Sequence, residues 1–117
     1  MITIEDFAKV EIRAGKVLSA EPVEGSEKLL KLMVDFGSSS AEGYGGTKQV
    51  LSGIAKHIKP EELIGTTCAF VTNLEPRNIM GLESQAMIMA FSGTSEKGDF
   101  FSLLKLPNEV PPGSLVK

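Results

Sequence analysis

Asn73, Arg77, Ser84 and Met87 crowd into one stretch, FVTNLEPRNIMGLESQAMIMAF, residues 70–91. A primary amide, a guanidinium and a hydroxyl are hydrogen-bonding groups, and a thioether adds soft apolar surface. Two cations, Lys28 and Lys31, stand at the entry to a second patterned segment, KLLKLMVDF. Such a set suits recognition of an anionic, hydrogen-bonding ligand, because ammonium and guanidinium groups grip phosphate oxygens. Each residue also has a plainer reading. Lysine and arginine are ordinarily solvated surface charge. Met87, Met89 and Phe91 share a strand face and can be core filling, or Met87 can offer apolar surface to a base or sugar.

Catalytic and metal chemistry find little material. His57 is the only histidine, so a metal site built on paired histidines is excluded. It lies between Lys56 and Lys59 in a connecting stretch and reads as a solvated loop residue. Cys68 alternates with Phe70, Thr72 and Leu74 and reads as a small buried apolar residue, with no base in view to make it a nucleophile. Glu61 and Glu62 suit the positive end of a helix dipole better than a catalytic pair. GYGGTK lacks the phosphate-loop spacing and no helix pattern follows it. The expectation is a binding module that is not an enzyme and needs neither metal nor cofactor.

The elements that must position these groups are mostly strands. Residues 2–8 read as a helical turn, with Thr3 as cap, Asp6 as the reciprocal acid, and Ile2 and Phe7 at the spacing of a hydrophobic staple. Residues 9–20 alternate, with Val10, Ile12 and Ala14 on one face and Glu11 and Arg13 on the other. Gly15 suggests a bulge or bend there. Pro22 to Ser26 forms a turn. Residues 28–36 alternate cleanly, with Leu30, Leu32, Val34 and Phe36 facing one way. Residues 37–47, GSSSAEGYGGT, read as a flexible loop. A third strand covers 48–54, and PEELI (60–64) forms one helical turn that starts on Pro60. A fourth strand covers 66–74. Pro76 tends to end it, and a turn-prone connection runs through Asn78 and Gly81. A fifth strand covers 85–92. Residues 98–105 form a hairpin-like extension, and the proline-rich tail runs extended and pairs at an edge.

Five short strands with one helical turn between the third and fourth fit an all-β, five-stranded OB-fold barrel, with an N-terminal helical turn and a C-terminal extension. A β-sandwich is the competing architecture. In an OB barrel the strand 2–3 face and the loops joining strands 1–2 and 4–5 form the binding face. Lys28 and Lys31 lie at the first loop, and Asn73, Arg77 and Ser84 at the second. At 117 residues the chain forms one domain, 1–117. Its net charge of −3 argues against a nucleic-acid binder that works by bulk charge, so any polyanion site would be a local patch. With no Trp and one Tyr, Tyr44, the chain offers few candidates for stacking bases one by one on aromatic platforms. A structured RNA recognised by shape and backbone fits better. No apolar run is long enough for a membrane helix, and the N-terminus does not read as a signal peptide. The single cysteine fits a cytoplasmic setting.

MITIEDFAKVEIRAGKV, GSEKLLKLMVDFG, QVLSGIA, PEELIG, NLEPRNIMGLESQAM and PPGSLVK together resemble the tRNA-binding domain family. This domain occurs at the C-terminus of bacterial methionyl-tRNA synthetases and as a free-standing dimeric protein. The resemblance spans nearly the whole chain. It implies an OB-fold, a homodimer joined through the N-terminal segment and the C-terminal extension, and non-catalytic binding of tRNA by its overall shape, around its elbow, in the service of an aminoacyl-tRNA synthetase. By position, the family's binding surface falls on Lys28, Lys31, Asn73, Pro76, Arg77, Ser84 and Met87. Two features depart from the family pattern: Ala86 replaces a usual glycine beside Ser84 and Met87, and the loop 37–47 is longer and richer in Gly and Ser. The related secretion-chaperone branch supplies the alternative, a dimer that binds unfolded clients on a methionine-rich surface around Met80 and Met87.

Overall fold

A computed structural model describes residues 1–38 and 45–117. The expected loop 37–47 falls largely outside the described residues, and Tyr44 wholly so. The chain begins with α1 (Ile4–Phe7), where Thr3 Oγ1 accepts the Asp6 amide and the Asp6 carboxylate accepts the Thr3 amide. That is the expected capping box, closing a helix too short to stand by itself. β1 (Ile12–Pro22), β2 (Leu30–Asp35) and β3 (Thr47–Ser52) follow, then α2 (Pro60–Leu63) and β4 (Thr67–Val71). A hairpin of β5 (Arg77–Ile79) and β6 (Leu82–Ser84) leads to β7 (Met87–Ile88). A second hairpin, β8 (Ala90–Ser95) with β9 (Gly98–Leu103), precedes β10 (Lys105–Leu106).

The main sheet runs β10-β4-β1-β2-β3, with β7 also paired to β4, and every pair is antiparallel. β3 packs against β6 and β7, so the sheet curls toward closure as an OB-like barrel. The alternation in β2 sets the core: Leu30, Leu32, Val34 and Phe36 are all buried, while Lys31, Met33 and Asp35 are half-buried on the outer face. Phe36 meets Phe70 edge to face at 5.3 Å between centroids. α2 seats its Leu63 in the same core, and Cys68 is fully buried there. Burial raises the Cys68 thiol pKa, and a hydrogen bond with Thr66 and the charge of Lys105 oppose that rise more weakly.

Several expectations need correction. The bulge in β1 lies at Leu18, between the pairs Val17↔Val34 and Ser19↔Met33, and not at Gly15. Gly15 serves a close approach instead: a Cβ there would stand 2.6 Å from Val34 Cγ1 and 2.7 Å from Phe36 Cε1. Arg13, expected on the solvated face of β1, is 5% exposed because the C-terminal tail covers it. Its Nε donates to Glu11 Oε1 at 2.6 Å and its Nη1 to the Gly113 carbonyl at 3.0 Å. The tail itself pairs with β1 as expected, through Ala14 N to Ser114 O and Val116 N to Ile12 O.

The turn-prone connection after Pro76 does turn at Gly81, but its two arms also pair as strands, β5 and β6, which were not expected. Residues 85–92, read as one strand, divide at Met89 into β7 and β8. Within this segment Ala86 and Ile88 are buried, whereas Met87 and Phe91 are exposed. The core-filling reading of that face is overturned, and Met87 presents its thioether to solvent. His57 is exposed in the connection between β3 and α2, as expected, and its ring stacks on Phe101 at 4.6 Å.

Candidate functional site

The β5–β6 hairpin turns through Met80 (φ 52°) and Gly81 (φ 82°). Two successive positive φ values match the right-handed twist of the flanking strands. Asn78 Oδ1 accepts the Gly81 amide at 3.0 Å and steadies the turn. The register then pairs Arg77 with Ser84 and Ile79 with Leu82.

Side chains lash this hairpin to the edge of β3. Ser84 Oγ accepts the Leu51 amide at 3.0 Å and donates to the Ala86 carbonyl at 3.1 Å. Gln85 Oε1 accepts the Gln49 amide at 2.9 Å, Gln49 Nε2 donates to the Glu83 carbonyl at 2.9 Å, and the Gln85 amide donates to the Gln49 carbonyl at 2.8 Å. A strand edge needs partners for its amides and carbonyls, and β3 takes two of them from side chains. Leu51 in turn pairs with Lys31 on β2. One unbroken path therefore runs from Lys31 through Leu51 and Ser84 to Arg77, joining residues far apart in sequence on one face.

A cleft of about 90 Å³ opens on that face, lined by Arg77, Ser84 and Met87 together with Leu51, Leu74 and Ala86. Pro76 is exposed beside Arg77. Lys31 Nζ lies 2.8 Å from Glu21 Oε1. Lys31 also lines a neighbouring cavity with Met80 and Leu82, so the hairpin leans over the β1–β2 connection. Lys28 is exposed, and its carbonyl accepts the Ala55 amide at 2.9 Å. Among the described residues neither Lys28 nor Arg77 takes part in an ion pair. Exposed Glu24, Glu27, Glu75 and Glu83 are their sequence neighbours, so the rim is mixed in charge rather than broadly basic.

Asn73 sits apart from this group. Its Oδ1 accepts the Glu11 amide at 2.8 Å and its Nδ2 donates to the Lys9 carbonyl at 2.7 Å, which clamps the N-terminal segment to the end of β4. It lines a different cavity, with Ile4, Phe7, Val10, Leu115 and Val116. Ser84 is 8% exposed, so its hydroxyl holds the hairpin rather than reaching outward. Gln49, Gln85 and Leu74 went unnoticed in the sequence. The one available signal was that β3 would end a sheet and need partners along its edge. No three of His, Cys, Asp and Glu gather in a metal-binding group among the described residues. Among them, too, no helix is long and apolar enough to cross a membrane.

Known proteins resemble the chain over nearly its whole length. A family model described as "Putative tRNA binding domain" matches residues 12–115. A methionine-tRNA ligase of Thermotoga maritima is 44% identical over 98% of the chain, which spans only 16% of that relative's length. Among solved structures, a MetRS related protein from Pyrococcus horikoshii superposes with a TM-score of 0.85 at 36% identity, covering 100% of this chain and 98% of that one. A structure titled chaperone CsaA, from Bacillus anthracis, does so at 0.78 and 32% identity, covering 100% and 99%.

Proposed function

The chain belongs to the tRNA-binding domain family, and from that premise we propose that it is a non-catalytic module, one domain over 1–117, that binds tRNA by shape and backbone. Lys28, Lys31, Pro76, Arg77 and Met87 meet the RNA, Ser84 holds the hairpin that carries Arg77, and Asn73 orders the N-terminal segment. The observation that carries this reading is the path from Lys31 through Leu51 and Ser84 to Arg77, which gathers cations on one face of an acidic protein. The module serves an aminoacyl-tRNA synthetase of the methionyl type, as an appended or a separate part, in the cytoplasm. Holding tRNA near the enzyme raises its effective concentration without new contacts in the active site.

The binding unit is a homodimer. The exposed apolar residues Ile4, Phe7, Val10, Leu115 and Val116 line one cavity where the two chain ends meet. Phe91 and Phe100 stand exposed on the β8–β9 hairpin. Uncovered apolar surface of this kind marks an association site. A solution mass of one chain at micromolar concentration would count against the dimer.

Binding to a tRNA transcript across a salt series tests the main reading. The logarithm of affinity should fall linearly with the logarithm of salt, at a slope near −0.7 to −0.9 per phosphate neutralised, with few phosphates. No measurable affinity at low salt would refute it. A second reading, a chaperone for unfolded clients, draws on the exposed Met80 and Met87 beside Leu74 and on the likeness to the structure titled chaperone CsaA. Clients that displace tRNA, or bind where tRNA does not, would favour it.

A further inference from the structure

The cleft beside Arg77 is built for more than a phosphate. Its floor is apolar and buried, made by Leu51, Ala86 and Ile88. Its rim carries Leu74 at 50% exposure and Met87 at 48%, so two large apolar side chains flank the opening and remain in water. Glu75 and Arg77 complete the rim. A backbone phosphate gains nothing from an apolar floor and is repelled by the Glu75 carboxylate. A nucleobase has the opposite requirements: apolar faces that favour leaving water, N–H groups that a carboxylate accepts, and ring nitrogens and carbonyls that a guanidinium donates to.

We propose that this cleft receives one unstacked nucleobase of the bound RNA, with Glu75 and Arg77 reading its edge and Leu74 and Met87 covering its faces. Unstacked bases in loops are the elements of a folded RNA that proteins read directly. Flanking phosphates then fall toward Lys31, whose register partner Leu51 lines the cleft. The inference rests on the tRNA-binding reading above and deepens it: shape and backbone position the RNA, and one extruded base fixes its register. Aromatic platforms are not required, because an aliphatic and thioether slot desolvates a ring without stacking it on another.

Methyl NMR of the full chain, titrated with a tRNA transcript at low salt, tests the proposal directly. A seated base shifts the Leu51, Ala86 and Ile88 methyl resonances upfield through its ring current. Ala86→Val, which narrows the cleft without changing charge, should weaken binding about tenfold, the scale of losing one seated base, and leave the salt slope unchanged. Binding that leaves those methyls unmoved would overturn the base slot and leave the tRNA-binding reading intact. Absence of any tRNA binding would overturn both. Shifts produced by an unfolded polypeptide and not by tRNA would overturn the slot in favour of a protein client.

Discussion

Replacing Ser84 with alanine removes the oxygen that joins the hairpin to the barrel. Ser84 Oγ accepts the Leu51 amide at 3.0 Å and gives its proton to the Ala86 carbonyl at 3.1 Å. Both Leu51 and Ser84 are buried, so water does not readily replace the lost partner. An orphaned buried donor costs about 1–3 kcal/mol. For a domain of this length that corresponds to a fall of roughly 4–12 °C in melting temperature. The loss is local as well as global. The Leu51 amide should exchange with solvent faster in Ser84→Ala, and tRNA affinity should fall because Arg77 is no longer held opposite a fixed partner. Ser84→Thr keeps the oxygen and should retain the Leu51 protection. Hydrogen exchange read residue by residue, beside a thermal melt, separates these effects. An unchanged Leu51 exchange rate with a melting temperature within a degree or so of the parent's would refute the lashing of the hairpin through Ser84.

Met80 holds a positive φ that non-glycine residues adopt at a cost. Met80→Asn, a residue that tolerates this conformation before Gly81, should stabilise the fold by about 0.5–1 kcal/mol in urea denaturation; a loss would mean that the Met80 side-chain contacts outweigh the strain. Gly15→Ala forces a Cβ against Val34 and Phe36, and overpacking of this kind should cost about 1–3 kcal/mol or more, which a chemical melt would show. The Cys68 thiol, raised by burial, keeps its proton in the folded state over a range where the unfolded chain has lost it. Folding therefore binds a proton, and stability should decline as pH rises above the ordinary thiol range near about 8.5. The parent's stability above pH 8 should fall more steeply than that of Cys68→Ala, and parallel curves would contradict the sign.

Much of the fold was legible because its segments are amphipathic in a simple way. β2 buries one face and solvates the other, so its period of two is plain in the residues. The capping box around Thr3 and the Pro60 turn carry local chemistry that needs no tertiary context. Arg13 misled because its face is covered by the C-terminal tail, and no local pattern announces a cover that comes from the far end of the chain. The β5–β6 hairpin was hidden by Met80, which occupies a turn position where Asn or Gly would have signalled the type. Met87 and Ile88 alternate outward and inward within β7, and the division at Met89 broke the single face that Met87, Met89 and Phe91 were expected to share. For the site, the cations and Arg77 could be read from residue type and barrel topology. Ser84 was found as a candidate, but its burial and its bonding to Leu51 required coordinates. Gln49 and Gln85 left no trace, since an amide that seals a strand edge has no periodic signature.

The central claim is that Lys31 and Arg77 meet the same RNA from one face. Its most direct test is the salt dependence of tRNA binding for the parent, Lys31→Ala, Arg77→Ala and the double variant. Each single change should weaken binding and lower the slope by up to about 0.7–0.9, and the double variant should lose about the sum while its fold stays intact. A double variant with the parent's affinity and slope would contradict the account.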